Sequence, residues 1–347
     1  MSKALFLRIV EAIENHSEYF QMKVDAIGKK GLSPLQKCTA AIRQLAYGGP
    51  ADAYDEYIRI AKYTATQCLF NFFRCVIEIF RTQYLRRPNS EGVQRLLQLH
   101  LERHGFPGML ESIDCMHWQW KNCPVAWKGQ FTRGDKGVPT IMLEAVASVD
   151  LWIWHAFFGV AGSNNDINVL NQSPLFNDVL HGYAPEVRFS VNGTTYTRGY
   201  YLADGIYPEW ATFVKSFSYP EDSKRLKFKE MQEAARKDVE RASGVLQSRW
   251  AIVRGPARFW YQKNLKDIMY TCIILHNMIV EDESENITNW YDDEDENTIL
   301  VTPGCEEGFQ QYLRRNAELR DQEVHHHLRS DLVEHIWNHF GVTRDEN

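Results

Sequence analysis

The sequence predicts a mixed α/β protein, in which a largely helical N-terminal region leads into a strand-rich core closed by a long charged helix. Two patterns carry this prediction. Residues 112–120, 140–149, 151–160 and 198–207 are short and rich in Ile, Val, Trp and Tyr, the composition of strands. Residues 224–250, KRLKFKEMQEAARKDVERASGVLQSRW, combine Ala, Glu, Lys and Gln without a proline, the composition of a helix. Three strands in a meander, a polar insert, a fourth strand and then the helix divide the chain into four parts. These are a helical domain at 1–105, an α/β core at 106–280 with an insert near 161–197, an acidic loop at 281–303, and a helical segment at 304–347 packed on the core.

Taken in order, residues 3–28 carry Leu5, Ile9, Ile13 and Phe20 on one apolar stripe and read as a single helix. A second helix starts with Ser33 as cap and Pro34 in its first turn and stops at Gly48-Gly49-Pro50. Asp52 is placed to cap a short helix, Lys62-Tyr63-Thr64 to break it, and a longer helix to run to Tyr84. With Arg81, Arg86 and Arg87 at its end, this pair has the outline of a helix-turn-helix, or of a helical hairpin serving only as a packing unit. VDLW at 149–152 turns the second strand into the third. The chain ends on DQEVHHHLRSDLVEHIWNHFG, a helix whose three consecutive histidines are expected at the surface.

The 347 residues are 44% hydrophobic and 24% charged, enough for a sizeable core. No run of about 18 apolar residues occurs, which excludes a membrane-spanning helix. Seven cysteines at irregular spacing, without a CxxC pair, read as reduced thiols of an intracellular protein. The net charge of −6 is unevenly spread. Residues 281–296 hold nine acids and no base, and without them the balance is +3. Residues 215–266 hold thirteen Lys or Arg against six acids. That distribution suits either a polyanion site or a solvated charged surface.

Three acids stand where acids are unusual. Asp114 interrupts the apolar strand SIDCMHWQW, Asp204 closes the fourth strand in YYLADGIYP, and Glu240 lies in the long helix. If the first and fourth strands are neighbours, Asp114 and Asp204 meet at one edge of the sheet and the helix carries Glu240 over them. Clustered carboxylates repel unless a cation lies between them, and oxygen-only ligation favours Mg²⁺ or Mn²⁺, two ions being able to serve phosphodiester hydrolysis. The bland alternative is three unrelated acids, each satisfied by an Arg or a backbone cap.

The segments GFPGML-SIDCMHW, LEAVAS-DLWIWHAFFG, GSNNDINVL, YYLADGIYP, RKDVERA-GVLQ and ILHNMIVEDE resemble the plant PIF/Harbinger superfamily of transposases and their domesticated relatives, from about Phe6 through Trp337. The resemblance implies an RNase H-like DDE nuclease core, with Asp114, Asp204 and Glu240 as the metal-binding catalytic acids and Mg²⁺ or Mn²⁺, two ions, as cofactor. It also implies cleavage of DNA at transposon ends, strand transfer into target DNA, and a Myb/SANT-like DNA-binding partner protein. Homo-oligomeric assembly and a nuclear location are expected as well. The alternative is a domesticated chromatin or complex-assembly factor that keeps the fold and does not cut. Two positions depart from the family pattern, Glu111 for Gly and Ser243 for Phe.

Asp166, in GSNNDINVL, is a rival second acid or a residue that shapes the site from behind. Arg236, Lys237, Arg241 and Arg249 around Glu240, together with Lys128, are candidates for holding DNA phosphates, though helix-surface ion pairing explains the first four equally well. His117, three residues past Asp114, and His276 in ILHNM are expected to be packed in the core. Trp118, Trp120 and Trp127 are expected to pack as well, with stacking on an unpaired base as the functional alternative.

Overall fold

Capping chemistry sets the N-terminal helices. In the computed structural model, which describes residues 1–54, 58–134, 137–284, 299–304 and 308–341, α1 (Lys3–His16) begins at Ser2, whose side chain accepts from Leu5 N. It ends at His16 and does not reach residue 28. The chain instead turns at Asp25–Gly28, where Asp25 Oδ1 accepts from the amides of Ile27 and Lys29 and Gly28 takes φ 81°. α2 (Pro34–Tyr47) carries a reciprocal capping box between Ser33 and Gln36 and closes on Gly48 at φ 63°. After Asp52 the described residues show a 3-10 turn, Ala51–Tyr54, and residues 55–57, on which the expected short helix also falls, lie outside the described residues. Asp52 bonds Lys62 Nζ at 3.1 Å, so Lys62 opens α3 (Lys62–Tyr84) where a break was expected.

α3 packs between α2 and α8 (Gln262–Ser284), and its arginine end is engaged within the protein. Arg81 lies 5.1 Å from the Tyr270 ring centroid, and Arg87 pairs with Asp178 at 2.9 Å. Of the expected helix-turn-helix, the described residues show the long packed helix and a 3-10 turn before it, while residues 55–57 between them lie outside the described residues. α4 (Ser90–His104), capped by Asn89, leads into the core.

The core is a five-stranded mixed sheet in the order β3-β2-β1-β6-β7. β1 (Met109–Gln119), β2 (Thr140–Ala147) and β3 (Ile153–Ala161) form the antiparallel meander, close to the expected limits. β6 (Tyr200–Ala203) pairs parallel to β1, and β7 (Phe213–Lys215) parallel to β6. All of β2 is buried, because helices cover both faces of the sheet. The long helix, α7 (Ser223–Arg249), is capped by Asp222 and buries Phe228, Gln232, Ala235, Val239, Ala242 and Leu246.

The insert contains α5 (Asp166–Gln172), α6 (Asn177–His181) and a hairpin of β4 (Glu186–Val191) and β5 (Thr194–Tyr196). Asn192 and Gly193, both at positive φ, make its two-residue turn, an Asn-Gly signal that the hydrophobic pattern alone passed over. The acidic loop needs correction at both ends. Residues 281–284 complete α8 and Leu300–Thr302 form β8, which pairs with β4, while 285–298 lie outside the described residues. α9 (Phe309–Leu319) and α10 (Gln322–Phe340) follow. His325 on α10 is buried, its ring nitrogen 2.9 Å from the Phe213 carbonyl, because α10 packs on β7; only its neighbours His326 and His327 fit the expected surface position. Among the described residues no helix is long and apolar enough to cross a membrane, and the cysteines carry free thiols.

Candidate active site

Strand register decides which acids can share a site. β1 and β6 run parallel with Ser112 beside Leu202, so two residues further on Asp114 is level with Asp204. Ser112 faces α7, where its hydroxyl bonds the Ala235 carbonyl at 3.2 Å. Alternation puts Asp114 on that same α7 side of the sheet. Asp204 stands just past the last residue of β6, and its Oδ1 accepts from Ile206 N at 3.0 Å, a local turn that holds the carboxylate at the strand end. Lys215 steadies the loop behind it by bonding the Tyr207 carbonyl at 2.9 Å.

Asp166 approaches from the other side. It begins α5, and it sits beside the thiol of Cys115, which projects from the face opposite Asp114. The charges of Asp166 and Asp204 nonetheless reach Asp114. Burial pushes the Asp114 carboxyl up to about 6; the Cys115 backbone N–H and the Arg236 guanidinium oppose this, and Asp166 and Asp204 add to it. Burial likewise raises Asp166, with Asp204 the next cause.

Glu240 stands apart from this group. It forms an i, i+4 pair with Arg236 at 2.9 Å and is 45% exposed along its side chain. The α7 group that acts most strongly on Asp114 is Arg236. Among the described residues, no three His, Cys, Asp or Glu side chains form a ready-made metal-ligating group. The donor chemistry still fits a hard divalent cation, since the site offers carboxylates, with Asp166 and Asp204 both raising the Asp114 carboxyl, and no thiolate or imidazole ligands among the described residues. Asp114 and Asp204 stand level on adjacent strands, Asp166 lies beside Cys115 on the opposite face, and Glu240 is held by Arg236.

The basic residues separate by environment. Lys237 and Lys128 are exposed. Arg241 bonds Asp238 at 2.8 Å, and Asp238, fully buried, is also 2.6 Å from His104 at the end of α4. Arg249 ties α7 to α8 through Glu283 at 2.6 Å and the His276 ring at 3.2 Å. Arg249 and Arg241 thus belong to the packing of α7, the first of them with a largely covered side chain. Trp118 and Trp120 are core residues whose indole N–H groups bond the Gly255 and Phe259 carbonyls, while Trp127 is 42% exposed at the edge of this cluster. His117 bridges Thr140 and Arg133, each at 2.9 Å, and is only half-buried.

The raised Asp114 carboxyl has a measurable consequence. An ordinary unfolded-state aspartate ionises near ~3.9, so above that pH the native state carries a penalty that grows until the folded carboxyl has itself ionised. Asp114→Asn in EDTA is expected to stabilise the protein at pH 7 by about 1–2 kcal/mol after solvent screening. The gain should shrink as pH falls from about 6 to 4. Urea titrations at pH 7 and pH 4 check this, and an equal gain at both pH values would contradict it.

Known proteins of similar sequence identify the family. A family model described as plant transposon protein matches residues 82–287, a span that contains Asp114, Asp166, Asp204 and Glu240. "Protein ALP1-like" of Arabidopsis thaliana is 23% identical over 309 residues, covering 88% of this chain and 72% of that relative. No solved structure matches the chain. Since the family model spans more than half of the sequence, the chain belongs to the plant transposon protein family, a Harbinger-type, transposase-derived family.

Proposed function

We propose that this chain is a Harbinger-type nuclease and strand transferase with an RNase H-like core, in which Asp114, Asp204 and Glu240 hold Mg²⁺ or Mn²⁺ for cleavage of transposon-end DNA. The observation that carries the reading is the level placement of Asp114 and Asp204 on adjacent parallel strands beneath the helix that bears Glu240. Bound divalent ions would supply Lewis-acid stabilisation of the scissile phosphate and of the attacking and leaving oxygens. The protein's own groups would do the rest. Asp114 and Asp204, on the two central strands and not at the sheet edge expected from the sequence, would fix the position of the phosphate at the end of β6. Arg236 offsets the carboxylate charge before DNA arrives and, once Glu240 turns to the site, is released to meet a phosphate. Lys237 and Lys128 bind the DNA backbone without reading sequence. Sequence recognition is assigned to a Myb/SANT-like partner, with the complex acting in the nucleus as a homo-oligomer.

The test is cleavage of terminal-repeat DNA in Mg²⁺, with and without that partner; absence of cutting under both conditions would sink the nuclease reading. The second reading, a domesticated chromatin or assembly factor, rests on the Glu240–Arg236 pair, which occupies the third acid. Under that reading Glu240→Gln leaves the cellular role intact. A separate check addresses the DNA path. The double variant Lys128→Ala/Lys237→Ala is expected to weaken binding on every DNA sequence alike and to lower the salt slope by about one unit per lysine. An unchanged slope would place the DNA elsewhere.

A further inference from the structure

Where β1 ends, two loops distant in sequence are gathered into one surface. Trp120, just past the strand, is fully buried. Its ring centroid lies 5.1 Å from that of Phe131 and 5.9 Å from that of Trp127, and its indole N–H donates to the Phe259 carbonyl at 2.9 Å. The backbones pair beside it, Lys121 N with the Ala257 carbonyl at 2.9 Å and Ala257 N with the Gln119 carbonyl at 2.8 Å. Residues 121–133 are thereby held against residues 254–261. Seating Trp120 in the core leaves its neighbours outside: Trp127 is 42% exposed, Trp260 55% and Tyr261 68%. The rings of Trp260 and Tyr261 have no aromatic or cationic partner among the described residues. Large exposed rings grouped in this way mark a surface that meets something else.

The same surface is basic. Residues 120–134 and 250–266 hold seven Lys or Arg and no acid. The next acids along the chain are Asp135, outside the described residues, and Asp267, which lies beside Lys263 and Lys266. Lys121, Lys128, Arg254 and Arg258 are exposed, and among the described residues no carboxylate pairs with them. Cations left without counter-charges on loops fixed by backbone hydrogen bonds favour a polyanion. The flat rings between them favour a partner that also offers planar apolar groups.

We propose that this surface binds single-stranded DNA, its phosphates on Lys121, Arg254 and Arg258 and its bases stacked on Trp127, Trp260 and Tyr261. A cationic track combined with aromatic rings holds unpaired strands without reading their sequence. Other partners satisfy only part of the surface. A duplex answers the cations but keeps its base faces inside the helix, and an acidic peptide leaves the rings unanswered. An anionic membrane takes up large aliphatic side chains, of which these loops expose only Val125 among the described residues. Trp120 is six residues beyond Asp114, roughly 20 Å of extended chain at ~3.3 Å per residue, so this surface is separate from the candidate active site and needs no metal. The choice of DNA over RNA rests on the nuclease reading.

Fluorescence anisotropy of a labelled oligothymidine of about 12 nucleotides with the whole chain in EDTA tests the proposal. Duplex DNA and oligouridine RNA of the same length, poly-glutamate and phosphatidylserine vesicles serve as competitors. The single strand is expected to bind about tenfold tighter than the duplex, which forgoes stacking, and tighter than the RNA, whose uracils lack the thymine methyl. Trp260→Ala/Tyr261→Ala, two exposed changes, should weaken it about tenfold with the melting temperature unchanged, whereas Trp260→Phe/Tyr261→Phe should keep most of the affinity. Lys121→Ala/Arg258→Ala should lower the salt slope by about 0.7 per charge. The proposal is overturned if the single strand does not bind, if any competitor binds as tightly, or if the Trp260→Ala/Tyr261→Ala protein binds like the wild type. Cleavage of terminal-repeat DNA in Mg²⁺ by the wild type judges the nuclease reading separately, so the two failures are distinguishable.

Discussion

Replacing Asp114 or Asp204 with Asn is expected to lower Mg²⁺-dependent cleavage of terminal-repeat DNA by about a thousandfold, roughly 4 kcal/mol of transition-state stabilisation. DNA binding should stay within about twofold, since each change leaves the exposed lysines in place and removes a negative charge from the path of a polyanion. Glu240→Gln should act in the same direction. Its amide keeps the shape of the side chain but loses the charge that would bind metal, while the exposed ion pair with Arg236 that it gives up is worth at most ~1 kcal/mol of stability. Asp166→Asn is the discriminating control. Asp166 lies beside Cys115 on the opposite strand face, so its loss should reduce activity only modestly, by about tenfold. Abolition of cleavage by Asp166→Asn with Asp204→Asn still active would exchange the two assignments.

Asn277→Ala is expected to destabilise the fold far more than any of these changes at the acids, lowering stability by about 3–5 kcal/mol in urea titration while leaving the carboxylates in place. Asn277 is fully buried in α8 and fastens three elements together. Its Oδ1 accepts from Ile153 N at 3.0 Å, and its Nδ2 donates to the Ile153 carbonyl at 2.8 Å and to the Tyr84 carbonyl at 2.7 Å. Truncation leaves three buried backbone groups without partners and a cavity where α3, α8 and β3 meet. The adjacent His276 performs a related task at the β2–β3 turn, where it meets the carbonyl of Leu151, a residue held at φ 71°. A loss below ~1 kcal/mol would mean that the surroundings collapse or water replaces the amide.

Local chemistry made much of the architecture legible in the chain itself. The Ser33 cap, Gly48 and the β-branched and aromatic runs 112–120, 140–149 and 151–160 each depend on residues near in sequence, and each element forms where those residues stand. The three acids were visible because an Asp in an apolar strand and a carboxylate at a strand end are costly exceptions. His325 was misplaced because burial of a helix face depends on what packs against it, here β7 at the far end of the sheet order. β8 was missed because three residues become a strand only when β4, more than a hundred positions away, offers its edge.

The sequence alone determined which residues can carry the chemistry: carboxylates inside apolar segments, flanked by basic side chains on one helix. Only the tertiary structure decided how they are grouped. Parallel pairing of β1 with β6 sets Asp114 level with Asp204, and strand alternation turns Glu111 away from them and into a separate cleft. The α7 ion pair gives Glu240 to Arg236. Residue identity and spacing fix what a side chain can do, whereas register and face, which depend on contacts between distant segments, fix which side chains do it together.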